Sequence, residues 1–210
     1  MSLAEVGNLN SKSKAQLVDM VKKLTAENAV LKEVQKFMEM TNKRLESLER
    51  EQYKMQQYSR RDTIEISGIP TSIEQNGLED EVIKIFEAAD VFVHGEGLRK
   101  RDIQACHRIG KKGATICKFT NRKFARESLF CGKNLKGKKL YDSNVYINNS
   151  FCDEFRHINY LVRTAKKTNQ IFRWKIKNGV NFVMMEEGGN FEEISHQNDL
   201  VRLKIIQDSE

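Results

Sequence analysis

From Ser13 to Tyr58 the chain contains neither glycine nor proline. An uninterrupted stretch of that length predicts one helix of about 46 residues, roughly 69 Å long, and Ser13 followed by Gln16 fits a capping box at its start. Leu17, Val21, Leu24, Asn28 and Leu31 recur at alternating steps of four and three, the spacing of a heptad seam. The phase then slips, and Val34, Met38, Thr41, Leu45, Leu48, Gln52 and Met55 resume the alternation after a discontinuity of the stammer type. A helix that is apolar along one narrow stripe does not stand alone in water. This stripe is also longer than the face a globule built from the rest of the chain offers. Residues 13–58 are therefore expected to self-associate as a parallel coiled coil, with Leu17, Val21, Leu24, Leu31, Met38, Leu45 and Leu48 as seam residues and Asn28 fixing the register. Dimer and trimer both fit the spacing, and residues 1–12 are expected to be disordered.

Beyond Tyr58 the periodicity changes. Thr63 to Ile69 alternates with period two and ends at Pro70, the only proline, which reads as a strand. Leu78 to Ala89 has helical spacing, Asp102 to Ile109 and Ala114 to Phe119 are strand-like, Asn121 to Leu129 is helical, and Val145 to Asn149 alternates again. The order βαββαβ over residues 59–150 predicts a ferredoxin-like domain of the kind used by RNA recognition motifs. A third unit, 151–205, has a helix over Asp153 to Thr168. A hairpin follows, Phe172 to Lys177 and Val180 to Met185, turned at Asn178-Gly179. A short strand at Phe191 to Ile194 and a closing helix at Gln197 to Leu203 complete it, and residues 206–210 are expected to fray. The fold class is α+β, with a long N-terminal coiled-coil helix, an RRM-like βαββαβ domain and a small α+β C-terminal domain.

Charge is distributed in blocks. The formal net charge is +7, yet residues 62–97 carry one Lys against nine acids, while 98–140 carry fourteen Lys and Arg against Asp102 and Glu127. From Arg156 to Lys177 there are seven basic residues and no acid. Two basic blocks this dense point to phosphate, and so to a nucleic acid partner. The first block gathers His107, Arg108, Lys111, Lys112, Lys118, Arg122, Lys123 and Arg126 around one hairpin and the helix after it, and Lys136 extends it through a loop. The second contributes Arg163, Lys166 and Lys167 on a helix and Arg173 and Lys175 on the hairpin. Trp174 between them fits either a core position or a base stack. Because the blocks lie in different domains, their facing sides are expected to form a cleft near Asn149 and Ser150 that a flexible single strand can thread and a stiff duplex cannot. Base readout on the sheet itself is not expected. On the RNP1 pattern Lys112-Gly113 and Phe119 match, but Ala114 and Ile116 occupy the stacking positions and Glu65 stands at the aromatic position of the first strand.

Other classes find little support. No GxxxxGK[ST], GxSxG or HExxH is present, so no enzyme is expected. Cys106, Cys117, Cys131 and Cys152 are too dispersed for a CxxC knuckle and read as buried thiols; no metal and no cofactor is expected. The chain has no run of 18 apolar residues and no basic region leading into an apolar one, so neither a membrane span nor a secretory signal is expected. The expected location is cytoplasmic, with the nucleus also open.

Four segments together carry a family resemblance: Arg60 to Pro70, Ala105-Cys106-His107-Arg108-Ile109-Gly110, Ile116-Cys117-Lys118-Phe119, and Phe172 to Met185 with its Asn-Gly turn. In this order they resemble the first-open-reading-frame proteins of LINE-type non-LTR retrotransposons, and the last is similar to the C-terminal domain of the baculovirus few-polyhedra protein. The resemblance, over residues 60–203, implies a coiled-coil oligomer, commonly a trimer in the vertebrate elements, whose noncanonical RNA recognition motif and C-terminal domain clamp single-stranded RNA or DNA. It also implies nucleic-acid chaperone activity and packaging of the element's transcript into a ribonucleoprotein. By motif position Arg60 and Arg61 correspond to the paired arginines that join coil to core, and Arg163 lies in the helix that carries basic residues in the third domain. The N-terminal zinc finger or esterase domain of some relatives has no counterpart here. A structural or adaptor protein with a few-polyhedra-like role, its basic faces meeting acidic proteins, is the alternative.

Overall fold

The computed structural model describes residues 14–110 and 113–206. The expectations for residues 1–12, for Ser13 as a cap and for 207–210 lie outside the described residues. Helix α1 runs from Lys14 to Tyr58 without a break. The chain divides into two compact units, and the divide falls inside this helix, after Glu49.

In the first unit α1 carries its apolar side chains in the open. Val21, Leu24, Leu31, Met38, Leu45 and Leu48 are each more than half exposed, Asn28 is exposed, and Leu17 is half-buried. Phe37 and Met40, off the heptad stripe, are exposed as well.

The second unit starts at Arg50, earlier than the expected boundary at 58, because the last turns of α1 are built into the globular part. It contains β1 (Thr63–Ser67), α2 (Leu78–Ala88), the two-residue strands β2 (Phe92–Val93) and β3 (Glu96–Gly97), β4 (Ile103–Ile109), β5 (Ala114–Phe119), α3 (Arg122–Cys131) and β6 (Tyr146–Asn149). These are followed by α4 (Asp153–Lys167), β7 (Arg173–Lys177), β8 (Val180–Met184), β9 (Glu192–Ile194) and α5 (Gln197–Arg202). The main sheet has the order β4-β5-β1-β6, antiparallel throughout. Alternation decides its faces: Ile64 and Ile66 of β1 with Thr115, Cys117 and Phe119 of β5 are buried on one side, and Glu65, Ala114, Ile116 and Lys118 lie on the other. Leu78, Val82, Ile85 and Phe86 of α2 and Phe124, Ala125 and Cys131 of α3 join the same core, so both helices cover one face. All four cysteines are free and buried. The β2–β3 hairpin was not legible beforehand: it turns at His94 and Gly95, both with positive φ, in a stretch with no Asn-Gly or Asp-Gly signal.

The second sheet, β7-β8-β9, turns at Asn178 and Gly179 with φ of 53° and 77°, the double positive φ of a type I′ turn. Ile158, Val162 and Ala165 of α4 pack on Val183 and Ile194, and Ile206, expected to fray, packs against this core.

The end of α1 is fixed by polar and aromatic contacts. Arg50 Nη1 donates to Asp199 Oδ2 at 2.8 Å and to Ser195 Oγ at 3.2 Å. Lys54 Nζ pairs with Glu193 at 2.7 Å, and Tyr53 stacks on His196 with ring centroids 6.1 Å apart and packs on Phe151 and Phe155. Gln57 is buried; its amide nitrogen donates to the Ser150 carbonyl at 3.0 Å and its oxygen accepts from the Cys152 amide at 3.1 Å.

Candidate nucleic-acid interface

Helix α1 ends in a tight turn, with Arg60 N donating to Gln57 O and Thr63 N to Arg60 O. This turn delivers Arg60 and Arg61, both half-buried, to the lip of a cleft. Arg60 Nη1 lies 3.4 Å from Ser150 Oγ, and the Arg61 guanidinium sits 4.4 Å from the centroid of the Tyr58 ring, a cation–π arrangement that holds it in place.

The cleft encloses about 1290 Å³, above the roughly 300 to 1,000 Å³ of small-molecule pockets. One wall is α3. Its inward positions Phe124, Ala125 and Ser128 are buried, so 3.6-residue periodicity turns Arg122, Arg126 and Phe130, each four residues apart, to the open side. All three line the cleft together with Lys123. The facing wall is α4, where Phe155, Ile158, Val162 and Ala165 are buried and Arg156, Asn159, Tyr160, Arg163 and Lys167 line the cleft. The floor takes Asn148 and Asn149 from the edge strand β6 and Lys177, Asn178 and Gly179 from the hairpin. Nine lysines and arginines contribute, against one carboxylate, Glu65. That carboxylate is engaged: Arg156 Nη1 donates to Glu65 Oε2 at 3.1 Å. Eight cations then face one another without a carboxylate among the lining residues, a concave positive field that suits a polyanion.

Arg60, Arg61, Arg122, Lys123, Arg126, Arg163 and Lys167 all line the cleft, close to the Asn149-Ser150 junction where the two basic blocks were expected to face. Lys123 also meets His94 Nε2 at 2.7 Å. Others lie elsewhere. Arg108 braces the fold: its guanidinium donates to the carbonyls of Ile69, Pro70, Ile73 and Gly113, tying the β1–α2 loop to the β4–β5 hairpin. His107 faces away from the core on β4, the edge of the sheet opposite β6. Lys118 is on the open face of β5, 3.9 Å from Asp62. Lys166 turns off the stripe of α4 and donates to the Phe172 carbonyl at 2.7 Å. Arg173 and Lys175 lie over the rings of Phe172 and Phe191, Lys175 at 3.6 Å. Lys136 is exposed and outside the cleft lining. Lys111 and Lys112 lie outside the described residues.

Arg156, Lys177, Phe130 and Tyr160 line the cleft without having been nominated. Arg156 and Tyr160 were within reach of the sequence, since they fall seven and three residues before Arg163 on one helical face. Trp174 both lines the cleft and packs against the core of the small sheet. Among the described residues, no group of three or more His, Cys, Asp or Glu could hold a metal ion, and no helix is long and apolar enough to cross a membrane. No protein-family model and no curated protein matches the chain.

Proposed function

We propose that this chain is an oligomeric protein that binds single-stranded RNA or DNA in the cleft between α3 and α4. The observation that carries the reading is the lining itself: nine lysines and arginines from α3, α4, the Arg60-Arg61 turn and the hairpin, against Glu65 alone. Phosphates held by such a surface give affinity with little sequence preference. We read the four-stranded sheet as a noncanonical RNA recognition motif, a reading supported by the strand order β4-β5-β1-β6 with two helices on one face. Its open face carries Glu65, Ala114 and Ile116 where stacking aromatics would stand, which moves the strand from the sheet to the cleft. Self-association through α1 is supported by the exposed stripe from Val21 to Leu48, since a second and third copy of the same helix is the surface that matches a heptad. An oligomer would join several such clefts and raise avidity through effective concentration. Packaging of a retrotransposon-type transcript and annealing activity follow from the same proposal, because neutralised phosphates let complementary strands approach.

The test is fluorescence anisotropy with single-stranded and duplex oligonucleotides over a salt series. Single strands are expected to bind more tightly. Exchanging Arg60 with Arg61, Arg122 with Arg126, or Arg163 with Lys167 for glutamine should weaken binding to all sequences alike. Each exchange should flatten the slope of log affinity against log salt by about 0.7 per lost phosphate contact. Duplex bound as tightly as single strand, with no acceleration of annealing, returns the chain to the adaptor class.

A further inference from the structure

Resting on that reading, we infer that Phe130 and Tyr160 are base-stacking platforms, so that the cleft holds unpaired bases as well as phosphates. Phe130 is 66% exposed and Tyr160 65%, and both line the cleft. An exposed phenylalanine has no polar handle to gain from water, and its ring is worth more to stability when buried. Here each ring stands in a row of cations at helical spacing. On α3 Phe130 follows Arg122 and Arg126 at steps of four, and on α4 Tyr160 stands between Arg156 and Arg163. The repetition on two facing walls is the pattern of a single-strand channel, in which a basic track follows the backbone and aromatic rings take successive bases. Lys133 Nζ covers one face of the Phe130 ring, 4.4 Å from its centroid, so a base would stack on the opposite face. Asn159, beside Tyr160, also lines the cleft and has a buried side-chain oxygen with no hydrogen-bond partner. The sheet lacks the usual aromatics, and these two rings supply the same chemistry from the helices. A duplex keeps its bases paired and stacked on each other, so the rings also add a preference for single strands that charge alone does not give.

The experiment compares two single strands of equal length and charge, an oligothymidylate and its abasic counterpart, by anisotropy at one salt concentration and then across a salt series. The wild type should prefer the base-bearing strand by about a hundredfold, the product of two stacked bases at about tenfold each. Tyr160→Ala and Phe130→Ala should each cut that preference by about tenfold while leaving binding to the abasic strand and its salt slope unchanged. Tyr160→Phe and Phe130→Tyr should retain it. Both residues are exposed, so the truncations leave the core intact. Equal binding of the two strands by the wild type overturns the stacking and leaves phosphate binding standing, as does an undiminished preference in both alanine variants. Failure to bind either strand overturns both.

Discussion

Gln57 is the point where the structure makes its most quantitative demand. It is 3% exposed, and its amide bridges two buried backbone groups, the Ser150 carbonyl and the Cys152 amide. Gln57→Ala leaves both groups buried and unpaired at about 1 to 3 kcal/mol each, so a loss of about 2 to 6 kcal/mol is expected. Gly179 presses on the same amide. A Cβ built there would come 2.3 Å from Gln57 Nε2, and φ is +77°. Gly179→Ala therefore carries about 1 to 2 kcal/mol of left-handed strain. It also displaces the amide, forfeiting the bonds that Gln57→Ala forfeits. In the double variant the strain remains but the bonds are lost only once. It should then be less destabilised than the sum of the two singles by about 2 kcal/mol or more, well outside the scatter of independent sites. Urea unfolding of all four proteins of the cycle measures this, read from midpoints at constant m. Costs that add to within about 0.5 kcal/mol would refute the claim that the Asn178-Gly179 turn and the end of α1 share one hydrogen-bonded joint.

Three further outcomes are expected. Exchanging Leu24 and Leu31 for glutamine should give a monomer by sedimentation with the unfolding transition of residues 50–206 retained; a wild type already monomeric at tens of micromolar refutes the seam. Arg108→Lys should destabilise the fold by about 2 kcal/mol, because an ammonium cannot reach all four carbonyls, while the folded variant keeps its affinity for single strands; a loss of affinity without a loss of stability would return Arg108 to the interface. Burial pushes the Asp199 carboxyl up, but the Arg50 guanidinium and the amides of Ser195 and His196 outweigh it and hold the pKa below its usual value. The stabilisation is therefore complete above about pH 4 and fades as pH falls through the lowered value. The stability gap between wild type and Asp199→Asn should shrink on acidification below about pH 4, and a gap independent of pH would rule out the ion pair as its source.

The elements were largely legible because each rests on a local pattern. The Asn178-Gly179 turn, the alternation of Thr63 to Ile69 and the buried positions of α4 are short-range signals that tertiary packing did not override. Four of the seven nominated cleft residues share such a signal as well: Arg122 with Arg126, and Arg163 with Lys167, are four-residue pairs on amphipathic helices, so the apolar positions between them fix which way they point. Strands gave less. Arg108 reads as one more cation in a basic run, and only the folded backbone brings the four carbonyls of Ile69, Pro70, Ile73 and Gly113 within its reach. Lys166 differs from Lys167 by one residue, yet 100° of helix rotation sends the first to the Phe172 carbonyl and the second to the cleft.

The same distinction explains why the contacts made by the end of the long helix were not legible in the sequence. Heptad spacing continues through Gln52 and Met55, and Met55 is indeed exposed; the residues that decide the matter are Arg50, Tyr53 and Gln57, on another face of the helix. Each is polar or amphipathic, so a hydrophobic pattern does not register them, and each finds its partner about 90 to 150 residues away, at Ser150, His196 and Asp199. A buried amide and a guanidinium on a charged carboxylate specify geometry more than they add stability. Their place at the joint that carries the Arg60-Arg61 turn means that the lip of the cleft is positioned by hydrogen bonds within the globular unit. A variant that loosens the joint, Gln57→Ala, should then weaken single-strand binding although it removes no charge. Its slope against log salt should stay that of the wild type, because the phosphate contacts remain the same in number and are only less well held.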